Sequence, residues 1–368
     1  MRVAVLKETA PRERRVAISP ATVQKLVQQK HEVVVERGAG VAAFYPDRQY
    51  LDAGALMAET AADACAGATV VCKVQPPELG EVGALPEGSV LISLLAPHRS
   101  AALLDALALR KVSALALELV PRTTKAQSMD VLSSQATVAG YQAVLIGAAR
   151  LGRFLPMLTT AAGTITPGKV FVLGAGVAGL QAIATAKRLG AVVSAFDVRP
   201  AVKEQVMSLG ASFIEAEARA EEGTGGYAKE LSDDQQARVL EAIAKHIKDV
   251  DLVIATAAIP GKPAPRLITG AMVDSMRPGS TIMDVAAETG GNCELTRPGE
   301  DVVHQGVTIV GPLNLASTLP NHASFMFSRN IQSLFDHAVK DGQFQVDPAD
   351  PIVGPMAVTH AGEVHYSS

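Results

Sequence analysis

Three glycines at the spacing Gly-x-Gly-x-x-Gly are the first residues of this sequence with a chemical signature. Gly174, Gly176 and Gly179 follow an apolar run, Lys169–Leu173, that predicts a strand, and they open a segment, Val177–Leu189, that predicts a helix. In that context the first glycine permits a tight turn, the second lets the backbone approach a pyrophosphate, and the third lets helix and strand pack closely. The amides at the start of the helix favour an anion. The motif therefore predicts a dinucleotide site, the alternative being an ordinary glycine turn of an α/β protein.

An acidic residue stands where such a site would read the ribose. Asp197 ends the next predicted strand, 18 residues after Gly179. A carboxylate there accepts protons from both ribose hydroxyls and repels a 2′-phosphate, which favours NAD(H) over NADP(H). Arg199, two residues further on, could instead pair with a phosphate. Asp197 has the greater weight because it holds the usual position at the end of the strand.

A polar loop, residues 121–135, separates two apolar stretches and holds Arg122, Gln127, Asp130 and Ser133. These groups could hydrogen-bond a carboxamide from both sides and place a carboxylate near a pyridinium ring, as nicotinamide recognition requires. The alternative is a solvated linker in which Asp130 and Ser133 cap the helix that follows. The spacing alone leaves both interpretations open.

The order of elements predicts an α/β protein with two Rossmann-like domains, each a parallel sheet flanked by helices, and NAD in the cleft between them. We assign residues 1–133 and 319–368 to a discontinuous first domain and residues 134–318 to the second, the NAD(H)-binding domain. The first domain is expected to have about five strands, and Thr308–Val310 is expected to be the last strand of the chain. Helices are predicted over Ser134–Leu151, as the connector, and over Ala323–Ala338, packing back on the first domain.

Composition excludes several classes of protein. The 368 residues are 48% hydrophobic and 19% charged, with a net charge of −4, so nothing attracts nucleic acid or anionic lipid globally. There is no Trp, and the three cysteines cannot form a disulfide framework. No metal spacing is found among the eight histidines. We see no signal peptide and no apolar run that predicts a membrane helix, and we expect a cytoplasmic protein that does not insert into the membrane.

Taken together, these motifs resemble the alanine dehydrogenase/transhydrogenase family along nearly the whole chain. Within it, the sequence is similar to the NAD(H)-binding part of the proton-translocating NAD(P) transhydrogenases. The resemblance is carried by the segments Pro121–Gln135, Gly174–Gly179, Asp197–Arg199, Gly225–Glu230 and Ile259–Pro265.

The resemblance also implies roles for individual residues. It places the nicotinamide, and hence the catalytic positions, at Arg122, Gln127, Asp130 and Ser133. It places the rest of the dinucleotide at the glycine turn, with Gly174, Gly176, Val177, Ala178 and Gly179, and at Asp197, Val198 and Arg199. Gly226 and Tyr227 match a mobile loop that closes over the nucleotide, and Thr256 and Ala258 complete the expected cofactor-binding set.

The activity that the resemblance implies is direct hydride transfer from NADH to NADP+. The NADP+ would be held on a partner subunit, domain III, and membrane subunits of domain II would couple the transfer to proton translocation. The chain would be a homodimer, peripheral on the cytoplasmic face of the inner membrane. Such a transfer needs two nicotinamides held close together away from water, and no general acid or base.

Two other functions remain open on the sequence. In alanine dehydrogenase, which must also move protons, a Lys and a His act beside an Arg. By resemblance Arg15 and Lys73 fall on that Arg and Lys, but the His position falls on or near Ala96, with His98 displaced by two residues. The other possibility is an NAD-binding module without catalysis, such as a redox sensor.

Overall fold

The computed structural model describes residues 1–216, 232–259 and 261–366. They form two compact units, unit 1 from residues 1–135 and 316–368 and unit 2 from residues 136–315. The first half of unit 1 contains strands β1 Arg2–Val5, β2 Glu32–Glu36, β3 Leu56–Ala58, β4 Val70–Cys72, β5 Val90–Ser93 and β6 Ser113–Ala116. Its helices there are α1 Pro20–Gln28, α2 Asp47–Asp52, α3 Ala61–Cys65 and α4 Ala101–Leu109, and α5 Val131–Arg150 leads into unit 2.

Unit 2 is built from strands β7 Leu158–Thr160, β8 Gly163–Ile165, β9 Lys169–Leu173, β10 Val192–Phe196, β11 Ser212–Phe213, β12 Leu252–Ala255, β13 Thr281–Asp284, β14 Asp301–His304 and β15 Val307–Val310. Its helices are α6 Val177–Arg188, α7 Lys203–Ser208, α8 Asp233–Ile247 and α9 Gly270–Asp274. The chain then returns to unit 1 with α10 Pro320–Ala338, β16 Val339–Lys340, β17 Gln343–Phe344, α11 Val353–Met356, β18 Ala357–His360 and β19 Glu363–Val364.

Both units have the Rossmann order of strands. In unit 2 the sheet runs β11-β10-β9-β12-β13-β15-β14, and all neighbours are parallel except β14 and β15. In unit 1 it runs β19-β18-β6-β5-β4-β1-β2-β3, with β1 to β6 parallel. Each sheet has a buried apolar cluster on both faces, as helices on both sides require. The predicted fold class is confirmed.

The sheet of unit 1 is larger than the sequence predicted. The short edge strand β3 was not expected, and Thr308–Val310 is not the last strand, because β18 and β19 add to the sheet from the end of the chain. β18 lies antiparallel to β6, and its buried Thr359 hydroxyl donates to Val112 O at 2.8 Å and accepts from Ala114 N at 3.1 Å. The predicted helix Ala323–Ala338 is present, begins at Pro320, and contributes Phe327 and Phe335 to the core of unit 1.

In unit 2 the helices α5 and α6 pack very closely at one glycine. A Cβ atom at Gly140 would lie 2.1 Å from the carbonyl oxygen of Ala178, which is closer than any real contact. Only a residue without a side chain lets α5 approach the backbone of α6 at that point.

We therefore expect Gly140→Ala to destabilise the protein by about 1–3 kcal/mol or more, because the clash is with backbone and cannot be relieved by a rotamer. An alanine in a helix without such a clash would stabilise it by roughly 0.5–1 kcal/mol, so the sign of the change is decisive. The measurement is denaturant unfolding, with Gly152→Ala, whose Cβ would meet nothing within 4 Å, as the control. A stabilised Gly140→Ala variant would contradict this packing.

Candidate functional site

The glycine turn between β9 and α6 depends on the absence of side chains at its first and third glycines. Gly174 has φ +89°, a conformation that L side chains rarely adopt. A Cβ at Gly179 would lie 1.8 Å from the carbonyl oxygen of Gly174, so the helix lies directly on the turn. Thr256, one residue after β12, fixes the turn from the neighbouring strand by donating to Leu173 O at 3.1 Å and Gly174 O at 2.9 Å.

The middle glycine is different. A Cβ at Gly176 would meet nothing within 4 Å, and Gly176 and Val177 are exposed. Gly176 precedes α6 and gives its first turn no side-chain cap, so the amides at this end of the helix face open space. The arrangement fits a phosphate group, which would approach the backbone where any larger residue would stand in its way.

Asp197 follows β10 and is almost fully buried, with 6% of its side chain exposed. Its Oδ2 accepts from Ala175 N inside the glycine turn at 2.7 Å. The same carboxylate accepts from the backbone N of Arg199 at 2.9 Å, and from the Arg199 guanidinium at 3.0 Å through Nε and 2.9 Å through Nη2. Sequence reasoning placed Asp197 at the ribose but did not anticipate that it also holds the turn and pairs with Arg199.

The remaining predicted residues of unit 2 have differing environments. Val198 is partly buried against the apolar cluster on one face of the sheet, and Ala258 is exposed beyond β12. Gly226 and Tyr227 lie outside the described residues, so their predicted role as a closing loop stays a prediction.

In unit 1 the polar loop before α5 is anchored by its apolar residues. Ala126 and Met129 are buried in the core, and Asn330 of α10 donates to Ser128 O at 2.8 Å. Arg122 and Gln127 are exposed. The loop is therefore held rigidly from one side and presents two of its predicted nicotinamide-binding residues at its surface.

Asp130 caps α5, as the alternative interpretation of the loop required. Its carboxylate accepts from Ser133 N at 2.9 Å and from the Ser133 hydroxyl at 2.6 Å. This cap explains why the helix begins at Val131 and not at Ser134 as predicted. Capping accounts for Asp130 and Ser133, but not for the polar and exposed Arg122 and Gln127.

A buried network lies next to this helix start in the same unit. Arg15 donates through Nη1 to Gln135 Oε1 at 2.9 Å and pairs with Glu13 through Nε and Nη2 at 2.8 and 2.7 Å. Gln135 in turn donates to Ala323 O at 3.0 Å, and Gln75 donates to Glu13 at 2.8 Å. All three of Glu13, Arg15 and Gln135 are buried. The guanidinium is thus paired within the protein.

Lys73, the other cation singled out in the sequence, is also internally paired. Its side chain is 1% exposed, and its Nζ lies 3.4 Å from each carboxylate oxygen of Glu81. Beside it, Glu8 accepts from Val74 N at 2.6 Å and Gln75 N at 3.2 Å. Burial raises the pKa of Glu8 to about 7, although Lys73 acts in the opposite direction. His98, in contrast, is exposed.

Within residues 1–216, 232–259 and 261–366, no group of three or more His, Cys, Asp or Glu side chains forms a candidate metal site. The same ranges contain no helix with both the length and the apolar character needed to cross a bilayer.

Two Rossmann-ordered units, an open helix start at a glycine turn and a carboxylate after the next strand define a dinucleotide-binding protein. Comparison with known families identifies which one. The profile described as "Alanine dehydrogenase/PNT, N-terminal domain" matches residues 4–139, and "Alanine dehydrogenase/PNT, C-terminal domain" matches residues 143–367. The chain belongs to this family, as the motifs predicted, and the family implies binding of a nicotinamide nucleotide.

Individual relatives fall into two groups. The first of the two chains that make up the NAD(P) transhydrogenase alpha subunit of Rhodospirillum rubrum is 49% identical over 99% of this chain and 97% of its own length. An alanine dehydrogenase of Bilophila wadsworthia is 32% identical over 85% of this chain and 78% of its own. The crystal structure of transhydrogenase from Sinorhizobium meliloti is 45% identical, covers 100% of this chain and 99% of its own, and superposes with a TM-score of 0.88.

The glycine turn gives a first test of the site. We expect Gly176→Ala to weaken NADH binding by roughly tenfold or more, because the new methyl group would occupy the space where a phosphate approaches the backbone. Its melting temperature should match that of the wild type, since the methyl group meets no protein atom. Gly179→Ala is the matched comparison and should lower the melting temperature instead. Calorimetric titration and thermal unfolding measure the two effects, and unchanged NADH affinity in Gly176→Ala would contradict the site.

The raised pKa of Glu8 gives a second test. The folded protein binds this proton more tightly than the unfolded chain, whose pKa is near 4.5, so the free energy of unfolding falls as pH rises from about 4.5 to 7. We expect Glu8→Gln to remove this part of the pH dependence when denaturant unfolding is measured at pH 5, 6, 7 and 8.

Glu87→Gln is the control, because Glu87 is exposed and Lys111 lowers its pKa, which completes its titration below this range. A decline in stability between pH 5 and 7 that is as steep in Glu8→Gln as in the wild type would show that Glu8 does not titrate there.

Proposed function

We propose that the chain is the NAD(H)-binding component of a proton-translocating NAD(P) transhydrogenase. The observation that carries the proposal is the full-length likeness to transhydrogenase alpha subunits, at 49% identity against 32% for alanine dehydrogenase over a shorter part of the chain. In this role NADH is a substrate, and its hydride passes to NADP+ on a partner subunit, domain III, while membrane subunits of domain II translocate protons. The chain itself acts as a homodimer on the cytoplasmic face of the inner membrane.

The described residues support this assignment through the division of their chemistry. Unit 2 offers an uncapped helix start for the pyrophosphate and Asp197 for the ribose, which favours NAD(H) because a carboxylate repels a 2′-phosphate. Unit 1 offers Arg122 and Gln127 on an anchored loop, with Asp130 and Ser133 beside them, as groups that orient a carboxamide. Hydride transfer between two nicotinamides needs orientation and exclusion of water, and these groups supply orientation.

The position of Ala96 argues against an alanine dehydrogenase. Arg15 and Lys73 are retained, but alanine stands where the resemblance places the proton-handling histidine, and the nearby His98 is exposed. Ala96 has φ +45°, a left-handed conformation, and the adjoining Leu95 N donates to the carboxylate of Glu118 at 2.9 Å. Oxidation of an amino acid requires proton transfer as well as hydride transfer, and this turn provides no imidazole for it.

The test is hydride exchange. The purified chain, mixed with an NADP(H)-binding transhydrogenase component, should reduce a spectrally distinct NADP+ analogue at the expense of NADH. The same chain incubated alone with pyruvate, ammonia and NADH should not consume NADH. Consumption in that second assay would reject the transhydrogenase assignment, and binding of NADH without exchange in the first would support a non-catalytic sensor.

Asp130→Asn is expected to slow hydride exchange by roughly 10- to 100-fold while changing the NADH dissociation constant by less than about threefold. The carboxylate stabilises the positive charge that develops as the nicotinamide is oxidised, whereas asparagine is as good a helix cap as aspartate and preserves α5. Stopped-flow measurement of the exchange and calorimetric titration of NADH separate the two effects.

The control is Asp105→Asn, the same chemical change on the exposed face of α4. If Asp130→Asn exchanges hydride as fast as the wild type, the carboxylate has no part in the transfer.

A further inference from the structure

The Asp197 carboxylate has no unused acceptor position. A carboxylate offers about four lone-pair sites, two on each oxygen. Oδ1 accepts from the backbone N of Arg199 at 2.9 Å and from Arg199 Nε at 3.0 Å. Oδ2 accepts from Ala175 N at 2.7 Å and from Arg199 Nη2 at 2.9 Å. All four sites are filled by protein N–H groups, so a ribose cannot be added without the loss of existing bonds.

The four donors are not equally able to leave. Two are backbone amides fixed by the glycine turn and by the chain after β10, and their departure would unfold the turn. The other two belong to the guanidinium of Arg199, which sits on a long side chain that is 15% exposed. A ribose with free 2′- and 3′-hydroxyls brings two O–H donors, the same number that the guanidinium contributes.

We propose that Arg199 is a specificity-determining residue of the NAD(H) site, whose guanidinium occupies Asp197 until the two ribose hydroxyls displace it. This inference rests on the proposed NAD(H)-binding function and extends it. Only a ligand that donates two hydrogen bonds replaces what the carboxylate loses. A 2′-phosphate offers acceptors and negative charge in place of one of those donors, and leaves the buried carboxylate under-satisfied.

The ion pair also restrains the arginine. An unpaired guanidinium beside the ribose would attract a 2′-phosphate strongly, since arginine recognises phosphate with two parallel hydrogen bonds. Held by Asp197, the guanidinium has its charge compensated and two of its N–H groups engaged. Asp197 therefore excludes NADP(H) in two ways, by its own charge and by its hold on Arg199.

The test compares NADH with its analogue lacking the adenosine 2′-hydroxyl, by calorimetric titration of the full chain. In the wild type the guanidinium compensates for the missing hydroxyl, so discrimination between the two ligands is small. In Arg199→Ala nothing compensates, and we expect discrimination to rise by about tenfold, with NADH bound at least as tightly as by the wild type. Arg199→Lys, which supplies one point charge in place of a fork, should fall between the two.

Weaker NADH binding by Arg199→Ala, or discrimination that is unchanged or smaller, would overturn the proposal, because the guanidinium would then be orienting the carboxylate in the complex. Thermal unfolding of each variant identifies any that fails to fold, and Arg199→Lys then decides by the direction of its change. If the wild type itself does not bind NADH, the proposed function fails, which is a different result.

NADPH provides an independent readout. Asp197→Asn should bind NADPH about tenfold more tightly than the wild type, because the released guanidinium becomes available to the 2′-phosphate. Adding Arg199→Ala to this variant should abolish the gain. An equal gain in the double variant would show that Arg199 plays no part, and no gain in the single variant would show that the ion pair does not restrain it.

Discussion

The close approach of α6 to the end of β9 is the constraint on which the rest of unit 2 depends. With Gly179 against the carbonyl oxygen of Gly174, the helix starts directly over the sheet, and its first amides are left pointing away from the protein. The same approach places Ala178 against Gly140, so α5 is drawn into the packing as well. One atom-sized gap therefore sets the position of two helices and creates an anion-binding helix start.

Carboxylates that satisfy backbone amides recur wherever this protein must hold a turn. Asp197 accepts from the glycine turn, Asp130 from the first turn of α5, and Glu8 from the chain after β4. Each of these acids follows a strand or precedes a helix, where amides lack partners from the ladder or from the preceding turn. The negative charge at the candidate site is thus part of the scaffold, and a change there alters both structure and chemistry.

The sequence predicts best where one local rule decides. The runs of β9, β12 and β13 are bounded as predicted, because each is a short buried apolar segment between turns, and the glycine spacing indicated the candidate nucleotide site. β3 and β18 were missed, since a three-residue edge strand has little periodicity and β18 pairs with a strand from the opposite end of the chain. The pairing of Asp197 with Arg199 was likewise not predictable, because either residue alone suits a different ligand.

The antiparallel pairing of β18 with β6 has a consequence for synthesis. Unit 2 is continuous in sequence, so it can complete its sheet while the last residues are still inside the ribosome. Unit 1 begins earlier but must wait, with the free edge of β6 open to wrong partners, until residues 357–360 emerge. In this nascent chain the inserted middle matures before the frame that surrounds it, and the final strand acts as the seal.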